Sequence, residues 1–166
     1  VMAVNFDAPV RLTRALLPRM RRLPEAQIVL VSSLFGLIAP PGQCAYAASK
    51  FALRGFGEAL RHELAPSPIR VTLVHPGGVA TNISRNALPP EGADPEAARA
   101  AAADFDKHLT LPPAKAARAI AEATVRGDPR LLIGGDARLL AAIQRLAPAG
   151  YWPIAQRLFG LERDRA

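Results

Sequence analysis

The sequence is poor in the features that mark secreted, membrane-spanning and metal-binding proteins. It has one cysteine, Cys44, in 166 residues, so no internal disulfide can form, which fits a reducing compartment. No apolar run reaches the ~18–20 residues of a membrane span, and the N-terminus has no basic segment followed by an apolar stretch. No His, Cys, Asp and Glu residues have metal-ligand spacing. We therefore predict a cytoplasmic protein without a metal site.

The charge balance is basic, with a net charge of +7. Aromatic residues make up only 5% of the sequence, and no dense basic run carries interleaved aromatic residues. We therefore favour a solvated basic surface over a nucleic-acid-binding one. Half of the residues are hydrophobic, which is ordinary for a globular protein. We predict that residues 1–166 form one domain with its own core.

Short apolar runs alternate with helical patterns along the chain. Continuous β-branched runs are typical of strands buried on both faces, and they predict strands at residues 27–32, 69–75 and 130–134. Helical spacing predicts helices at residues 2–22, 43–65, 95–107, 113–126 and 136–159, the third inside a mobile loop of residues 82–111 and the last interrupted near Pro148. This order predicts an α/β fold with a doubly wound parallel sheet.

Three side chains capable of proton transfer occur near the end of the first predicted strand. Ser33 ends that strand, where ligands of open α/β sheets gather. Tyr46 and Lys50 are four residues apart near the start of a helix, so they share one face. A neighbouring ammonium lowers the pKa of a phenol, and a serine hydroxyl can hold a substrate oxygen. The set predicts proton transfer to or from an alcohol/carbonyl pair.

The spacing of these residues, together with two flanking motifs, resembles the short-chain dehydrogenase/reductase family. Gly36 and the thirteen-residue interval from Ser33 to Tyr46 match that family's active-site signature. Val4-Asn5 is similar to the position of the family's catalytic asparagine. The segment Pro76-Gly77-Gly78-Val79-Ala80-Thr81 is similar to its P-G-x-V-x-T motif.

The resemblance implies a role for each catalytic position. Tyr46 would be the general acid/base, and Lys50 would lower its pKa and bind the nicotinamide ribose. Ser33 would orient the substrate oxygen, and Asn5 would help to hold a water that relays protons to Lys50. The substrate would be a small alcohol or carbonyl compound.

The resemblance also implies a nicotinamide cofactor, NAD or NADP, which the sequence does not distinguish. Its binding residues would be Tyr46 and Lys50 together with the segment after the second strand, namely Pro76, Gly77, Val79 and Thr81. In the family, the backbone at Val79 and the hydroxyl of Thr81 meet the nicotinamide end.

The family's glycine-rich T-G-x-x-x-G-x-G turn and its N-A-G segment are absent from residues 1–166. Family likeness covers residues 1–135, and residues 136–166 would be a helical extension. The three strands would belong to a partial Rossmann-like sheet that normally has seven. We therefore expect this chain alone to be unstable, with an open strand edge at residues 27–32, and to bind dinucleotide poorly.

Two other functions are open. The chain could be a non-catalytic fragment or interaction module that keeps helices 2–22 and 43–65, the pair through which family members often form homo-oligomers. Residues 139–161 mix aromatic, aliphatic and arginine residues, so membrane-surface contact is a third hypothesis. For that segment we favour packing on the domain or shaping of the substrate pocket, because Pro148 and Pro153 interrupt the helix.

Other reactive side chains have simpler interpretations. No G-x-S-x-G motif surrounds Ser33, so a hydrolase triad with His62 or His75 is disfavoured. We expect His62 on a solvated helix face, and His75 either packed in the structure or lining the site. Cys44 is predicted to be a small buried hydrophobic residue.

Overall fold

The computed structural model describes residues 1–83, 86–87, 92 and 94–159, and the strands within them form one parallel sheet. Its strands are β1 (Ala26–Val31), β2 (Ile69–Pro76) and β3 (Arg130–Ile133), with β2 in the middle. Each lies within one residue of its predicted bounds. The sequence-based prediction of an α/β fold is therefore confirmed.

The helices follow the predicted order. They are α1 (Ala8–Met20), α2 (Cys44–Glu63), α3 (Pro95–Asp106), α4 (Pro113–Arg126), α5 (Gly135–Leu146) and α6 (Tyr151–Phe159). A π-helical turn at Ala3–Asp7 precedes α1, so the predicted helix 2–22 is not uniform. Pro18 lies inside α1 without ending it there. The predicted break near Pro148 separates α5 from α6.

Helices cover both faces of the sheet, because alternate residues of a strand point to opposite sides. On one face, α1 and α2 pack against a cluster made of Ile28, Leu30, Leu53, Leu60, Leu64, Ile69, Val71 and Leu73. On the other face, α4 contributes Ala116 and Ile120 to a cluster with Val74 and Ile133. The sheet is thus doubly wound, as the sequence predicts.

The C-terminal helices pack on the loop that follows β1. Tyr151, Trp152 and Phe159 contact a buried cluster that includes Leu34 and Ile38. The aromatic side chains of this segment therefore point into the protein, as the packing interpretation of residues 139–161 predicts. Residues 160–166, the end of the predicted extension, lie outside the described residues, and its boundary at residue 135 stays a prediction.

The outer edge of β1 has no neighbouring strand among the described residues. Ala26 and Ser32 donate backbone hydrogen bonds toward β2, so the odd-numbered residues of β1 direct their backbone groups to the open side. A groove of about 590 Å³ lies between this edge and α1, lined by Leu12, Leu16 and other residues. The open edge predicted from the sequence is present.

None of the described helices is both long and apolar enough to cross a bilayer. Within the same residues, no group of three or more His, Cys, Asp or Glu side chains could hold a metal ion.

Candidate active site

Ser33 follows β1 in an extended conformation, with φ of −163°. Its hydroxyl accepts a hydrogen bond from the backbone N–H of Phe35 at 3.1 Å, which begins the 3₁₀ turn Leu34–Gly36. Its carbonyl lies 3.0 Å from Nδ1 of the buried His75, at the end of the neighbouring strand β2. Since a carbonyl can only accept, Nδ1 carries the proton. Among the described residues, the Ser33 hydroxyl donates no hydrogen bond of its own.

Gly36 lets the 3₁₀ turn approach α2 closely. A Cβ atom at this position would clash with Oγ of Ser32 and lie 2.9 Å from the carbonyl oxygen of Lys50. The same Ser32 hydroxyl donates to that carbonyl at 2.9 Å. The end of β1 is therefore held directly against the turn of α2 that carries Lys50.

Tyr46 and Lys50 lie in the first two turns of α2, and Nζ of Lys50 is 5.6 Å from the centroid of the Tyr46 ring. The Phe35 ring meets the Tyr46 ring edge to face at 6.1 Å. Nζ also donates to the carbonyl oxygen of Val31 at 3.2 Å. Burial lowers the pKa of the Lys50 ammonium from its usual value. A cation is thus placed beside a phenol, as the spacing predicts.

Asn5 reaches the same region from the π-helical turn Ala3–Asp7. Its Nδ2 donates to Oγ of Ser49 at 3.1 Å, and that hydroxyl donates to the carbonyl of Tyr46 at 2.7 Å. Such π-helical turns are frequent at functional sites. The side chain of Asn5 is therefore linked through Ser49 to the turn of α2 that carries Tyr46 and Lys50.

The segment after β2 is tied to β3 and to the start of α5. Gly77 donates to the carbonyl of Ile133 at 2.8 Å, and Gly78 donates to Oδ2 of Asp136 at 2.8 Å. A Cβ atom at Gly77 would clash with the carboxylate of Asp136, so a larger residue here would displace that side chain. Pro76 ends β2, Val79 pairs with Leu111 in an isolated bridge, and Thr81 is exposed.

His75 is packed inside the protein. Of its two predicted interpretations, a packed residue or one that lines the site, its burial favours the first. Its side chain is fully buried, and among the described residues Nε2 has no hydrogen-bond partner. Burial is the main cause that lowers its pKa to about 4, against a smaller opposing effect of the Ser33 carbonyl. The imidazole is therefore neutral at pH 7, and its Nδ1–H group holds the backbone carbonyl of Ser33 in place.

Two further predictions concern residues outside this arrangement. His62 is exposed on α2, as expected for a solvated helix face. The prediction that Cys44 is buried is wrong, since Cys44 is exposed. It is the first residue of α2, where the chain emerges from a surface loop and no second layer covers it.

Sequence reasoning missed three residues that position this site, namely Phe35, Ser49 and Asp136. For Asp136 a signal exists, because an acidic residue in the first turn after Gly134-Gly135 suits a helix N-terminus. For Phe35 and Ser49 there is none. Their contacts with Tyr46 and Asn5 depend on how two distant segments meet.

The arrangement so defined is that of a short-chain dehydrogenase, and comparison with known proteins agrees. Residues 1–92 match the short chain dehydrogenase family model, so the chain belongs to that family. It is 42% identical over 154 residues, 91% of this chain and 55% of the relative, to SadH of Mycobacterium tuberculosis, which is named as an oxidoreductase. The chain spans about half the length of the curated relatives that it matches.

Solved structures agree with this assignment. A short-chain dehydrogenase from Streptomyces avermitilis superposes with a TM-score of 0.76 at 31% identity, over 97% of this chain and 62% of that one. One from Burkholderia cenocepacia, in complex with NADP, gives 0.69 at 27% identity, over 95% and 56%. The described sheet is thus part of a Rossmann-like fold.

Proposed function

We propose that the protein carrying this chain is a nicotinamide-dependent oxidoreductase that interconverts a small-molecule alcohol and a carbonyl. The observation that carries the proposal is Nζ of Lys50 at 5.6 Å from the Tyr46 ring, beside the strand end that bears Ser33. SadH is named as an oxidoreductase, and the B. cenocepacia relative is in complex with NADP. Both support the same reaction class.

Tyr46 exchanges a proton with the substrate oxygen in this proposal. The Lys50 ammonium lies beside the Tyr46 ring, where its positive charge would stabilise negative charge that develops on the phenol oxygen during proton transfer. Ser33 donates its free hydroxyl proton to the same substrate oxygen and thereby holds the substrate against Tyr46. The buried His75 keeps the Ser33 backbone in place through its hydrogen bond to the carbonyl.

The residues present fit the nicotinamide end of a dinucleotide. An ammonium has three donors, and Lys50 uses one of them on Val31, so two remain for ribose hydroxyls. Thr81 and the backbone of Val79 lie just beyond β2, with Pro76 and Gly77 forming the turn before them. When bound, the nicotinamide supplies or accepts the hydride. We propose NAD or NADP without choosing between them.

Asn5 acts in this proposal by positioning. Its link through Ser49 to the Tyr46 carbonyl couples the π-helical turn to the first turn of α2. A water bound near Asn5 would complete a proton path from Lys50 to solvent.

The test is Tyr46→Phe in the protein expressed from its complete coding sequence. Loss of general acid/base catalysis should lower kcat by about 10²–10⁴-fold, while the Kd for NADH or NADPH stays within about twofold because the phenol oxygen alone is removed. Tyr151→Phe is the matched control, since it removes a phenol oxygen whose hydrogen-bond partner is the backbone of Ala39. Turnover by Tyr46→Phe at more than half the wild-type rate would refute the role.

A second candidate is an interaction module that forms a homo-oligomer through α1 and α2. The observation in its favour is the exposure of large apolar side chains on these helices, with Leu12 at 62%, Leu16 at 43% and Phe51 at 39%. Size-exclusion chromatography with light scattering discriminates. A stable dimer that neither binds nicotinamide cofactor nor turns over favours the module, whereas cofactor binding with turnover favours the enzyme.

A further inference from the structure

A second cleft lies between α2, β3 and α5, and its polar lining is almost entirely arginine. It has a volume of about 380 Å³ and includes Arg54, Arg130, Arg138 and Arg145 among its lining residues. None of Ser33, Tyr46 and Lys50 lines it. The cleft is thus separate from the candidate active site.

The fold explains why these four side chains converge. Arg138 and Arg145 are seven residues apart on α5, so they lie on one face two turns apart. Arg130 alternates with Leu131 along β3, which places it on the sheet face of Leu132. Leu132 lines the cleft with it. Arg54 comes from α2 and completes the set.

The positive charges in this cleft are poorly balanced by the described residues. Arg54 pairs with Glu58 at 2.9 Å, and no acidic side chain belongs to the described lining. Partial desolvation is the main cause that lowers the pKa of Arg130; the charges of Arg54 and Arg145 lower it further, and the charge of Glu58 opposes them. Arg130, Arg138 and Arg145 are exposed and can reach a ligand from solvent, and a bound anion would reduce the repulsion between these like charges.

We infer that the arginine cleft, defined by Arg54, Arg130, Arg138 and Arg145, binds a phosphate group. A guanidinium donates two parallel hydrogen bonds that match the oxygens of phosphate, and several converging guanidinium groups favour a dianion over a monoanion. The hydrophobic side chains Leu37 and Leu132 at the cleft provide contact for the organic part of a phosphate ester. The phosphate could come from a soluble ester or from a lipid headgroup.

The first experiment measures thermal stability with inorganic pyrophosphate, against sodium chloride at matched ionic strength, in the protein expressed from its complete coding sequence. The cofactor that the protein binds, NADH or NADPH, is present at saturation throughout, so that pyrophosphate cannot act at a cofactor site. We expect the melting temperature to rise with pyrophosphate beyond the salt control. The double variant Arg130→Gln/Arg145→Gln should weaken pyrophosphate binding at least tenfold. Arg130→Lys/Arg145→Lys, which keeps the charge but not the planar fork, should weaken it less.

Arg118→Gln is the matched control, because Arg118 is exposed on α4, which packs on the opposite face of the sheet. It should bind pyrophosphate like the wild type. Flotation compares the binding of the protein to phosphatidic acid vesicles with its binding to phosphatidylcholine vesicles. A lipid source is identified if the wild type binds only the phosphatidic acid vesicles and the double glutamine variant binds neither. Pyrophosphate and vesicle binding that are both absent, or both unchanged in the double glutamine variant, would overturn the inference.

Discussion

The start of α2 and the groove between α1 and β1 lie on the same side of the sheet. They differ in how completely their polar groups are hydrogen-bonded and their apolar side chains are buried. At the start of α2, Ser32, Ser49 and Asn5 form hydrogen bonds that fix the helix turn carrying Lys50. In the groove, Leu12 is 62% exposed and the outer edge of β1 has no strand beside it among the described residues.

The proposed chemistry and the stability of the chain therefore depend on different regions. The side chains proposed to act on substrate are positioned by contacts that residues 1–83 make among themselves. The core beside α1, in contrast, has apolar side chains that nothing in the described chain covers. We therefore expect changes around α2 to be costly, and changes on the open edge of β1 to cost little stability and to act mainly on association.

Acidification should produce the largest effect on the closed region. The pKa of His75 is about 4 in the folded protein, below the ~6.5 of an unfolded histidine, so protonation opposes folding. Neutral His75 therefore contributes on the order of 3 kcal/mol to the free energy of unfolding above about pH 6.5. This contribution is lost as the pH falls toward about 4. Urea unfolding across this range measures it.

His75→Asn removes the titrating group and retains a donor for the Ser33 carbonyl. The slope of its unfolding free energy against pH should therefore be smaller than that of the wild type, by the equivalent of up to one bound proton. His62→Gln is the control, because His62 is exposed on α2, and it should follow the wild type. An undiminished slope in His75→Asn would assign the acid sensitivity to other groups.

Gly36→Ala should cause the next largest loss of the unfolding free energy, because its Cβ would meet Oγ of Ser32 and the backbone carbonyl of Lys50. We expect a loss of about 2 kcal/mol in urea unfolding, as for overpacking in a tight interior. Gly55→Ala is the same change in α2 with open space around the new Cβ, and it should stabilise by about 0.5–1 kcal/mol. Equal stabilities of the two variants would mean that α2 moves away freely.

Asp136→Ala tests the connection between the segment after β2 and α5. It leaves the N–H of Gly78 without its carboxylate acceptor, which should cost about 1–2 kcal/mol of the unfolding free energy. Asp136→Asn keeps an acceptor oxygen and should lose less. If both variants lose equally, the negative charge matters and not the hydrogen bond.

Val31→Lys acts on the open region and should change the unfolding free energy least, by under about 0.5 kcal/mol. Val31 is 47% exposed at the edge strand β1, where lysine discourages pairing with another chain. Light scattering of this chain should show several-fold slower aggregation. Val125→Lys, on an 84% exposed residue of α4, is the control that adds charge without protecting the edge. Equal slowing by both would implicate net charge alone.

Much of the fold was predictable because it depends on local patterns. The β-branched runs at residues 27–32 and 69–75 indicated buried strands, and the structure has both. Pro148 indicated a break in the C-terminal helix, and the break between α5 and α6 is present, whereas the interruption predicted at Pro153 is wrong because Pro153 lies in the first turn of α6. Cys44 was misjudged because exposure depends on what lies above a residue, and a pattern along the chain does not contain that information.

The sequence by itself determined which segments form strands and helices, and it placed Tyr46 and Lys50 on one helix face, because these properties follow from repeat periods of a few residues. Only the tertiary structure decided that Asn5 meets Ser49, 44 positions away, and that Gly78 meets Asp136, 58 positions away. It also decided that four arginines from three elements share one cleft. Such contacts arise when packed elements bring distant residues together, so no local preference encodes them.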